Sequence, residues 1–473
     1  MGDAAAFFDL DRTLLRGASG PVISEALRAV GVLSDRHIPG EGLLYKVFDT
    51  IGETLPSMLL TRQAARLASG WHRATVQEAG ELVADRLVDE VQPFGRVLID
   101  RHHDEGRPVV LATTSPYDLV APLARRLGLE DVIATRYGEH EGCYDGSIAG
   151  EFVWGQGKLT AVRAWSAEHG IDVGNSWAYS DSVYDTPLLS AVGHPVAINP
   201  DPSMRVMATI RRWPQQYLDV PSGVPKLGGI ELQRAVQALL RPQTMPYVRW
   251  KVDGLEHLPT TGPVILVANH RSYFDPIVIG YTTGKAGRAV RFLGKKEVFD
   301  APIVGQIATA MGGIRVERGS GSDVPLDLAA DAIAGGEVVG ILPQGTIPRG
   351  EAFFDPHLEG RWGAAKLAAR TGAPVIPVGI WGSELVWPRS SRVPNVLNLT
   401  HPPTVQVRVG RPVEIKGRSA DADTKRIMKA IMGLLPPEAR EPHDPTPEEI
   451  ALAMPAGAKG DGSDEQRRRP GTD

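Results

Sequence analysis

Apolar positions along the chain fall into two separate series of strands and helices. The first opens on the short run Ala5–Leu10, which predicts a buried strand. Between residues 18 and 95 the apolar spacing turns helical, as in Val22-Ile23-Ser24-Glu25-Ala26-Leu27-Arg28-Ala29-Val30. Strand-type runs resume at Pro108–Ala112, and the alternation continues to about residue 200. A strand, a helical insertion and then strands alternating with helices predict a parallel sheet carrying a helical cap. The second series predicts strands near 263–268, 289–293, 338–342, 375–380 and 404–409, with helices between them. The expected fold class is α/β, in two domains.

The connecting passages set provisional boundaries. Trp213 to Lys226 bears Pro and Gly and reads as a linker. Beyond it Leu227, Ile230, Val236, Leu239 and Leu240 share one side of a short helix, which either lies at an interface or packs on its own domain. After about Pro436 the chain becomes Pro-, Glu- and Gly-rich and ends in Arg-Arg-Arg-Pro-Gly-Thr-Asp, which predicts disorder. The expected division is 1–205 with a cap at about 16–95, then 206–247 as linker and possible interfacial helix, 248–436, and a tail over 437–473.

Composition narrows the class. A chain of 473 residues exceeds one ordinary core, and 42% hydrophobic with 23% charged residues fits a folded protein. The single cysteine, Cys143, excludes an internal disulfide and a cysteine-based zinc site, and it suggests a reducing compartment. The start reads as an apolar strand and an acidic motif rather than a signal segment. No run reaches the roughly 20 apolar residues of a spanning helix. The most apolar stretch, Ala301–Ile314, is broken by Gln306. Any membrane contact is therefore expected to be peripheral, on the inner face of the cell membrane of a cytoplasmic protein.

Charge is uneven. Residues 1–204 carry 17 Lys+Arg against 28 Asp+Glu, a balance of −11, whereas 205–296 carry 14 against 5, a balance of +9. A basic face suits anionic lipid or phosphate-bearing substrates. Nucleic acid is not expected as a partner, because no interleaving of basic and aromatic residues and no nucleic-acid motif is present.

Candidate chemistry sits at the ends of predicted strands. Asp9 and Asp11 follow Ala6-Phe7-Phe8, placing two carboxylates where open α/β sheets bind ligands. One can be a nucleophile and the other a general acid. Thr113 ends the run Val109-Val110-Leu111-Ala112 with a hydroxyl able to bind a phosphoryl oxygen. Gly155-Gln156-Gly157-Lys158 offers a cation, and Tyr179-Ser180-Asp181-Ser182-Val183-Tyr184-Asp185 offers carboxylates suited to Mg²⁺.

In this order the four segments resemble the motifs of the haloacid dehalogenase-like phosphohydrolases, over about residues 5–200. The helical insertion is similar to the cap of the phosphoserine-phosphatase-like branch. The resemblance implies Asp9 as aspartyl nucleophile, Asp11 as acid/base, and Thr113 and Lys158 as holders of the phosphoryl group. It also implies Mg²⁺ held by Asp9, Asp181 and the backbone carbonyl of Asp11, with Asp185 in support. The cap selects the substrate in such enzymes. Here Arg16, Glu25, Arg62 and Arg66 could reach toward a ligand, but a solvated helix charge is the better explanation for each of them.

Histidine followed by aspartate at x₄ spacing suggests an imidazole base whose tautomer a carboxylate fixes. With 12 histidines, about 0.7 such matches arise by chance. His140…Asp145 lies in a polar turn and reads as one of these. His270…Asp275 instead follows the strand Val264-Ile265-Leu266-Val267-Ala268 and Asn269. With Lys295-Lys296-Glu297-Val298-Phe299, Gly313-Ile314-Arg315-Val316-Glu317-Arg318, Leu342-Pro343-Gln344-Gly345-Thr346 and Val375-Ile376-Pro377-Val378-Gly379, it resembles the lysophosphatidate and glycerolphosphate acyltransferase family over about 248–415.

That resemblance implies His270 as base for the acceptor hydroxyl and Asp275 as its orienting partner. It implies Lys295 and Arg318 on the acceptor's phosphate, with Gly345 and Thr346 shaping the adjacent loop. The acyl donor would be a coenzyme A or carrier-protein thioester, and the acceptor a lysophospholipid at an anionic membrane. The third motif departs from the family: Gln344 stands in place of Glu and Ile347 in place of Arg, with Arg349 two residues on.

Overall fold

The computed structural model describes residues 3–34, 55–221, 224, 226–227, 230–295, 299–300, 308, 312–316 and 324–455. The chain divides into two compact units, Met1–Ser222 and Gly223–Asp473.

In the first unit, β1 (Ala6–Phe8) leads into a tight loop and α1 (Gly20–Ala29). Next come α2 (Leu55–Leu67), α3 (Arg73–Leu87), α4 (Pro93–Asp104), β2 (Val109–Pro116), α5 (Tyr117–Leu127) and β3 (Asp131–Thr135). A hairpin of β4 (Tyr137–His140) and β5 (Cys143–Ile148) follows. The unit then runs through α6 (Gln156–His169), β6 (Trp177–Ser180), α7 (Thr186–Ala191), β7 (His194–Ile198), α8 (Pro202–Arg211) and β8 (Gln215–Gln216).

The six-stranded sheet has the order β3-β2-β1-β6-β7-β8, parallel throughout. β1 shows why an all-apolar run is needed here. Ala6 and Phe8 join the core on one face of the sheet, and Ala5 and Phe7 join the core on the other. A strand covered on both sides has no polar positions to spare.

Two expectations change. The passage after Trp213 is not a free linker: Gln215–Gln216 is the edge strand β8, and Leu218 and Val220 are buried. The first unit therefore runs to Ser222 rather than 205. The β4–β5 hairpin was not predicted. It contains His140 and Asp145, and it packs on the helical insertion, where the Gly70 N–H donates to the Tyr144 carbonyl at 2.8 Å.

The second unit begins with a short ladder of β9 (Lys226–Leu227) and β10 (Ile230–Glu231), followed by α9 (Leu232–Leu239) and β11 (Arg249–Asp253). It continues with β12 (Val264–Ala268), α10 (Asp275–Lys285), β13 (Val290–Lys295), β14 (Ile314–Val316), α11 (Val324–Ala334) and β15 (Val338–Ile341). Then come α12 (Gly363–Thr371), β16 (Val375–Trp381), α13 (Ser383–Val386), β17 (Thr404–Val409), α14 (Ala420–Leu434) and α15 (Pro447–Ala453).

Its sheet has the order β11-β17-β16-β12-β15-β13-β14, and among these pairs β16–β17 is antiparallel. β12 lies at the centre. Val264, Leu266 and Ala268 feed one core layer, and Ile265 and Val267 feed the other.

Helix α9 docks through its polar side. Gln233 donates to the Val290 carbonyl at 2.6 Å, and Gln237 donates to the Arg288 carbonyl at 3.0 Å. Arg291, wholly buried, pairs with Glu231 and Glu337 and donates to Gln233. Gly312 is required beside it, since a Cβ there would lie 2.4 Å from an Arg291 guanidinium nitrogen. With its amides turned inward, α9 leaves Leu232 and Leu239 exposed.

The tail expected from 437 is ordered over its described part. α15 is closed at its start by a capping box, in which Thr446 accepts the Glu449 N–H and Glu449 accepts the Thr446 N–H. Its Ala453 packs with Ile347 and Phe353. Residues from 456 onward lie outside the described residues. Among the described residues no helix is long and apolar enough to cross a membrane.

Candidate active sites

In the first unit, the register Phe8↔Leu111 and Phe8↔Tyr179 brings the carboxyl ends of β1, β2 and β6 together. Asp9, Thr113 and Asp181 follow from that alignment. Lys158, in the first turn of α6, is buried between two carboxylates, 2.9 Å from Asp9 Oδ1 and 2.7 Å from Asp185 Oδ2. Ser180 Oγ also donates to Asp185 Oδ2, at 2.7 Å. A buried ammonium this close to two carboxylates pairs with the nucleophile candidate and orients it.

Asp11 has a different environment. Its carboxylate accepts the Ser19 N–H and, at 3.4 Å, the Ser115 hydroxyl. Burial raises its pKa, opposed by the bonds from Ser19 and Ser115 and by the charge of Lys158. One member of the pair is held by a cation and the other is pushed toward its protonated form, which is the split an acid and a nucleophile need. Thr113 Oγ1 accepts the Ser115 N–H at 3.3 Å, so Ser115 links it to Asp11.

Arg12, at φ +57°, turns the loop and pairs with Asp181 at 3.0 Å. Thr13 Oγ1 accepts the Asp181 N–H, also at 3.0 Å. Arg12, Thr13, Ser115 and Ser180 were not singled out from sequence, although each lies within four residues of a motif aspartate or threonine.

The residues expected to hold Mg²⁺, Asp9, Asp11, Asp181 and Asp185, follow the carboxyl ends of β1 and β6. Among the described residues no group of three or more His, Cys, Asp or Glu is placed to hold a metal ion. Lys158 pairs with Asp9 and Asp185, and Arg12 pairs with Asp181. The donors are nonetheless all oxygens, and the buried Oδ1 of Asp185 has no hydrogen-bond partner, so their chemistry fits a hard divalent ion.

Of the cap residues, Glu25 pairs with Arg86 at the surface, and Arg62 lies 5.9 Å from the Phe152 ring centroid. Arg16 and Arg66 are exposed. Residues 35–54 of the insertion lie outside the described residues.

In the second unit His270 stands two residues past the end of β12, and Asp275 opens α10. His270 Nδ1 is 2.8 Å from Asp275 Oδ2. The same oxygen accepts the N–H groups of Arg271 at 2.7 Å and Ser272 at 2.8 Å, and Oδ1 accepts the Ser383 hydroxyl at 2.6 Å. Asp275 is 0% exposed, a carboxylate fixed by its donors and by the helix N-terminus. It fixes the imidazole in turn, leaving Nε2 as the working nitrogen.

Gln344 Oε1 accepts the His270 N–H at 2.7 Å, which explains why an amide serves at a position the family fills with a carboxylate. Gly345 takes φ +69° and its N–H returns to the Leu342 carbonyl at 2.8 Å, a turn that favours glycine. Ile347, where the family has Arg, is buried, and the Arg389 guanidinium donates to the Ile347 and Pro348 carbonyls.

A cavity of about 650 Å³ opens beside His270, bordered by Thr346, Arg349, Arg361, Leu385 and Leu452. Arg271 lies 4.2 Å from the ring centroids of both Phe353 and Trp381 and pairs with Glu384 at 3.0 Å. Arg318 and the Lys295 side chain, the expected phosphate ligands, lie outside the described residues, as do 296–298 and 301–307 of the second segment. Ser383 and Glu384 were missed from sequence. Their position just past β16, at the same sheet edge as His270, was the available signal.

The family model for haloacid dehalogenase-like hydrolases matches residues 6–190, and the acyltransferase model matches residues 249–381. The Inhibition of morphological differentiation protein of Streptomyces azureus is 36% identical over 44% of this chain and 76% of its own length. Phosphoserine phosphatase SerB1 of Mycobacterium tuberculosis is 36% identical over 44% of this chain and 69% of its own. A solved 1-acyl-sn-glycerophosphate (LPA) acyltransferase, PlsC, from Thermotoga maritima is 21% identical over 43% of this chain and 78% of its own, with a TM-score of 0.33. The chain belongs to the haloacid dehalogenase-like hydrolases through its first unit and carries an acyltransferase domain in its second.

Proposed function

We propose that the protein is a two-activity enzyme of phospholipid synthesis. The second unit transfers an acyl group from a coenzyme A or carrier-protein thioester to 1-acylglycerol-3-phosphate, giving phosphatidate. The observation that carries this reading is the His270–Asp275 pair at 2.8 Å beside the cavity. His270 Nε2 takes the proton of the acceptor hydroxyl, whose oxygen attacks the thioester carbonyl. The tetrahedral adduct collapses with cleavage of the C–S bond, and the thiolate recovers the proton from the imidazolium. Gly345 and Thr346 shape the loop beside the acceptor, and Lys295 and Arg318 bind its phosphate. The name of the Thermotoga maritima protein agrees with this acceptor.

The first unit hydrolyses a phosphate monoester. Asp9 attacks phosphorus while Asp11 protonates the departing oxygen, and water then cleaves the aspartyl-phosphate with Asp11 as base. Thr113 and Lys158 hold the phosphoryl oxygens. Mg²⁺, held by Asp9, Asp181 and the Asp11 carbonyl with Asp185 in support, would neutralise phosphoryl charge. A second reading, a small soluble substrate of the phosphoserine kind, is favoured by the 36% identity to a protein named phosphoserine phosphatase.

Contact with an anionic membrane is peripheral in this reading. It is supported by the +9 balance over 205–296 and by the outward Leu232 and Leu239 of α9.

The test is a labelled-lipid assay on the full chain, across lyso-acceptors and phosphate monoesters, with and without Mg²⁺. His270→Ala abolishes acyl transfer and spares phosphate release, and Asp9→Asn does the reverse. No acylation of any lysophospholipid by the wild-type protein would refute the assignment.

A further inference from the structure

The segment between β16 and β17 carries an aliphatic surface that stays exposed among the described residues. Val393 is 68% exposed, Leu397 86% and Leu399 58%. Leu385, 64% exposed, adds to them from α13, which opens the same connection. These are large apolar residues on a loop whose polar groups bond largely to one another. Ser391 Oγ donates to the Val393 carbonyl at 2.7 Å. Asn398 Nδ2 donates to the His401 carbonyl at 2.8 Å, and the Asn398 carbonyl oxygen accepts the His401 N–H at 3.2 Å. The Asn395 N–H returns to the Val386 carbonyl at 2.9 Å. These bonds hold the loop with its aliphatic side chains to the outside, which is costly in water and favourable in hydrocarbon.

Two observations identify what covers it. The first is charge: between Glu384 and Glu414 the chain holds Arg389, Arg392, Arg408 and Arg411, of which Arg389 is buried and Arg392 is exposed beside Val393. Aliphatic side chains beside an exposed arginine match an anionic lipid surface. The second is continuity with the catalytic cavity. Leu385 lines it, as does Leu452, whose carbonyl accepts the Ser390 N–H at 3.3 Å. From the other side, Tyr273 of the His270 segment packs on the Trp387 ring at 5.8 Å, and the Trp387 indole donates to the Ser391 carbonyl at 3.1 Å. The loop is thus fixed to the segment that carries the base.

We propose that the loop bearing Val393, Leu397 and Leu399 inserts into the outer acyl region of an anionic bilayer and sets the cavity mouth against it. An acyl-chain-bearing acceptor then reaches His270 without crossing water. The proposal rests on the lysophospholipid reading for its purpose, but not for its test.

That test is co-sedimentation of the full chain with vesicles of phosphatidylcholine and phosphatidylglycerol, and with phosphatidylcholine alone. The triple variant Val393→Ser, Leu397→Ser, Leu399→Ser is expected to partition at least tenfold more weakly. Leu397→Ser alone, at the most exposed position, is expected to weaken it severalfold. Arg392→Gln is expected to lessen the preference for phosphatidylglycerol. Phosphate release by the first unit, and acyl transfer to a short-chain acceptor below its micelle concentration, stay unchanged.

Binding of the triple variant equal to wild type, or no binding by wild type, overturns the proposal. So does a wild-type dimer that the triple variant abolishes, which would make the loop a contact between copies. Absence of acyl transfer with intact vesicle binding would instead defeat the acceptor reading and leave the membrane loop standing.

Discussion

Asn269 and Ile380 exchange two hydrogen bonds of 2.8 Å each: the Asn269 side chain donates to the Ile380 carbonyl and accepts the Ile380 N–H. Both residues are buried. The amide takes up the strand-pairing groups of Ile380 where β12 has ended, and so locks the residue before His270 to β16. Loop residues of this kind are held by side chain rather than by ladder.

Replacing Asn269 removes that lock. Asn269→Ala strands a buried N–H and a buried carbonyl, at about 1–3 kcal/mol each. Asn269→Asp is expected to be at least as damaging, because a carboxylate cannot donate to the Ile380 carbonyl. Both variants should lower acyl transfer tenfold or more while phosphate release stays at the wild-type rate. Equal loss of both activities in purified, folded protein would mean the effect is not local to His270.

How far the sequence reveals this arrangement depends on whether a contact is local. The five strands read in the second series lie within two residues of those observed; β12, β15 and β16 are covered on both faces and allow no polar interruption, and β17 alternates apolar and polar positions. The acidic pair at Asp9 and Asp11 and the His270 segment were legible, since a strand end and its following residues are contiguous. Ser383 donating to Asp275 was not, because 108 positions separate the partners. β11 at the sheet edge was also missed, since its burial alternates between exposed and intermediate. α15 was hidden by a polar, Pro-rich composition. Its signal was the Thr446–Glu449 capping box with Pro447 at the first helical position.

Gln344 tests whether hydrogen bonding or charge matters at the third acyltransferase segment. Its Oε1 accepts the His270 N–H, which a carboxylate does equally well and a methyl does not. Gln344→Ala is expected to lower kcat/KM for acyl transfer about tenfold, in keeping with a lost acceptor for a partly buried N–H. Gln344→Glu should stay within about threefold in kcat, since the acceptor survives, and show its effect in the KM for a phosphate-bearing acceptor. A Glu variant as impaired in kcat as the Ala variant would show that charge neutrality, not the bond, is what the site needs.

Asp11 should reveal itself by leaving-group dependence. Burial raises its pKa, so the protonated form able to serve a departing alkoxide persists to higher pH than for an ordinary carboxyl. Asp11→Asn is expected to slow hydrolysis of alkyl phosphates by roughly 10²–10⁴-fold, the usual range for a general acid. An aryl phosphate whose phenolate leaves unaided should lose far less in its first step. In the wild-type enzyme the alkaline limb of the rate profile should fall as pH rises through the elevated pKa of this group. The same loss for both substrates would assign Asp11 to binding or folding rather than to proton donation.

His102 makes the first unit sensitive to acid for a reason separate from catalysis. Its Nδ1 accepts from Arg107 Nε at 2.8 Å, and its Nε2 meets the Tyr179 hydroxyl at 2.8 Å, an arrangement that requires a neutral ring. Burial, with the charges of Arg107 and Arg101, lowers its pKa to about 3. Below about pH 6.5 the unfolded chain takes up a proton that the folded one refuses, so stability falls as pH falls. The slope is about 1.4 kcal/mol per pH unit for this group, between the unfolded value and the folded one. His102→Gln keeps an acceptor for Arg107 and a donor for Tyr179 and does not titrate. Denaturant midpoints measured from pH 7 to pH 4.5 should therefore decline less steeply for the variant, by roughly 2 kcal/mol at the acid end. Parallel curves for the two proteins would show that His102 is protonated in the folded state, and the neutral-ring assignment would have to be abandoned.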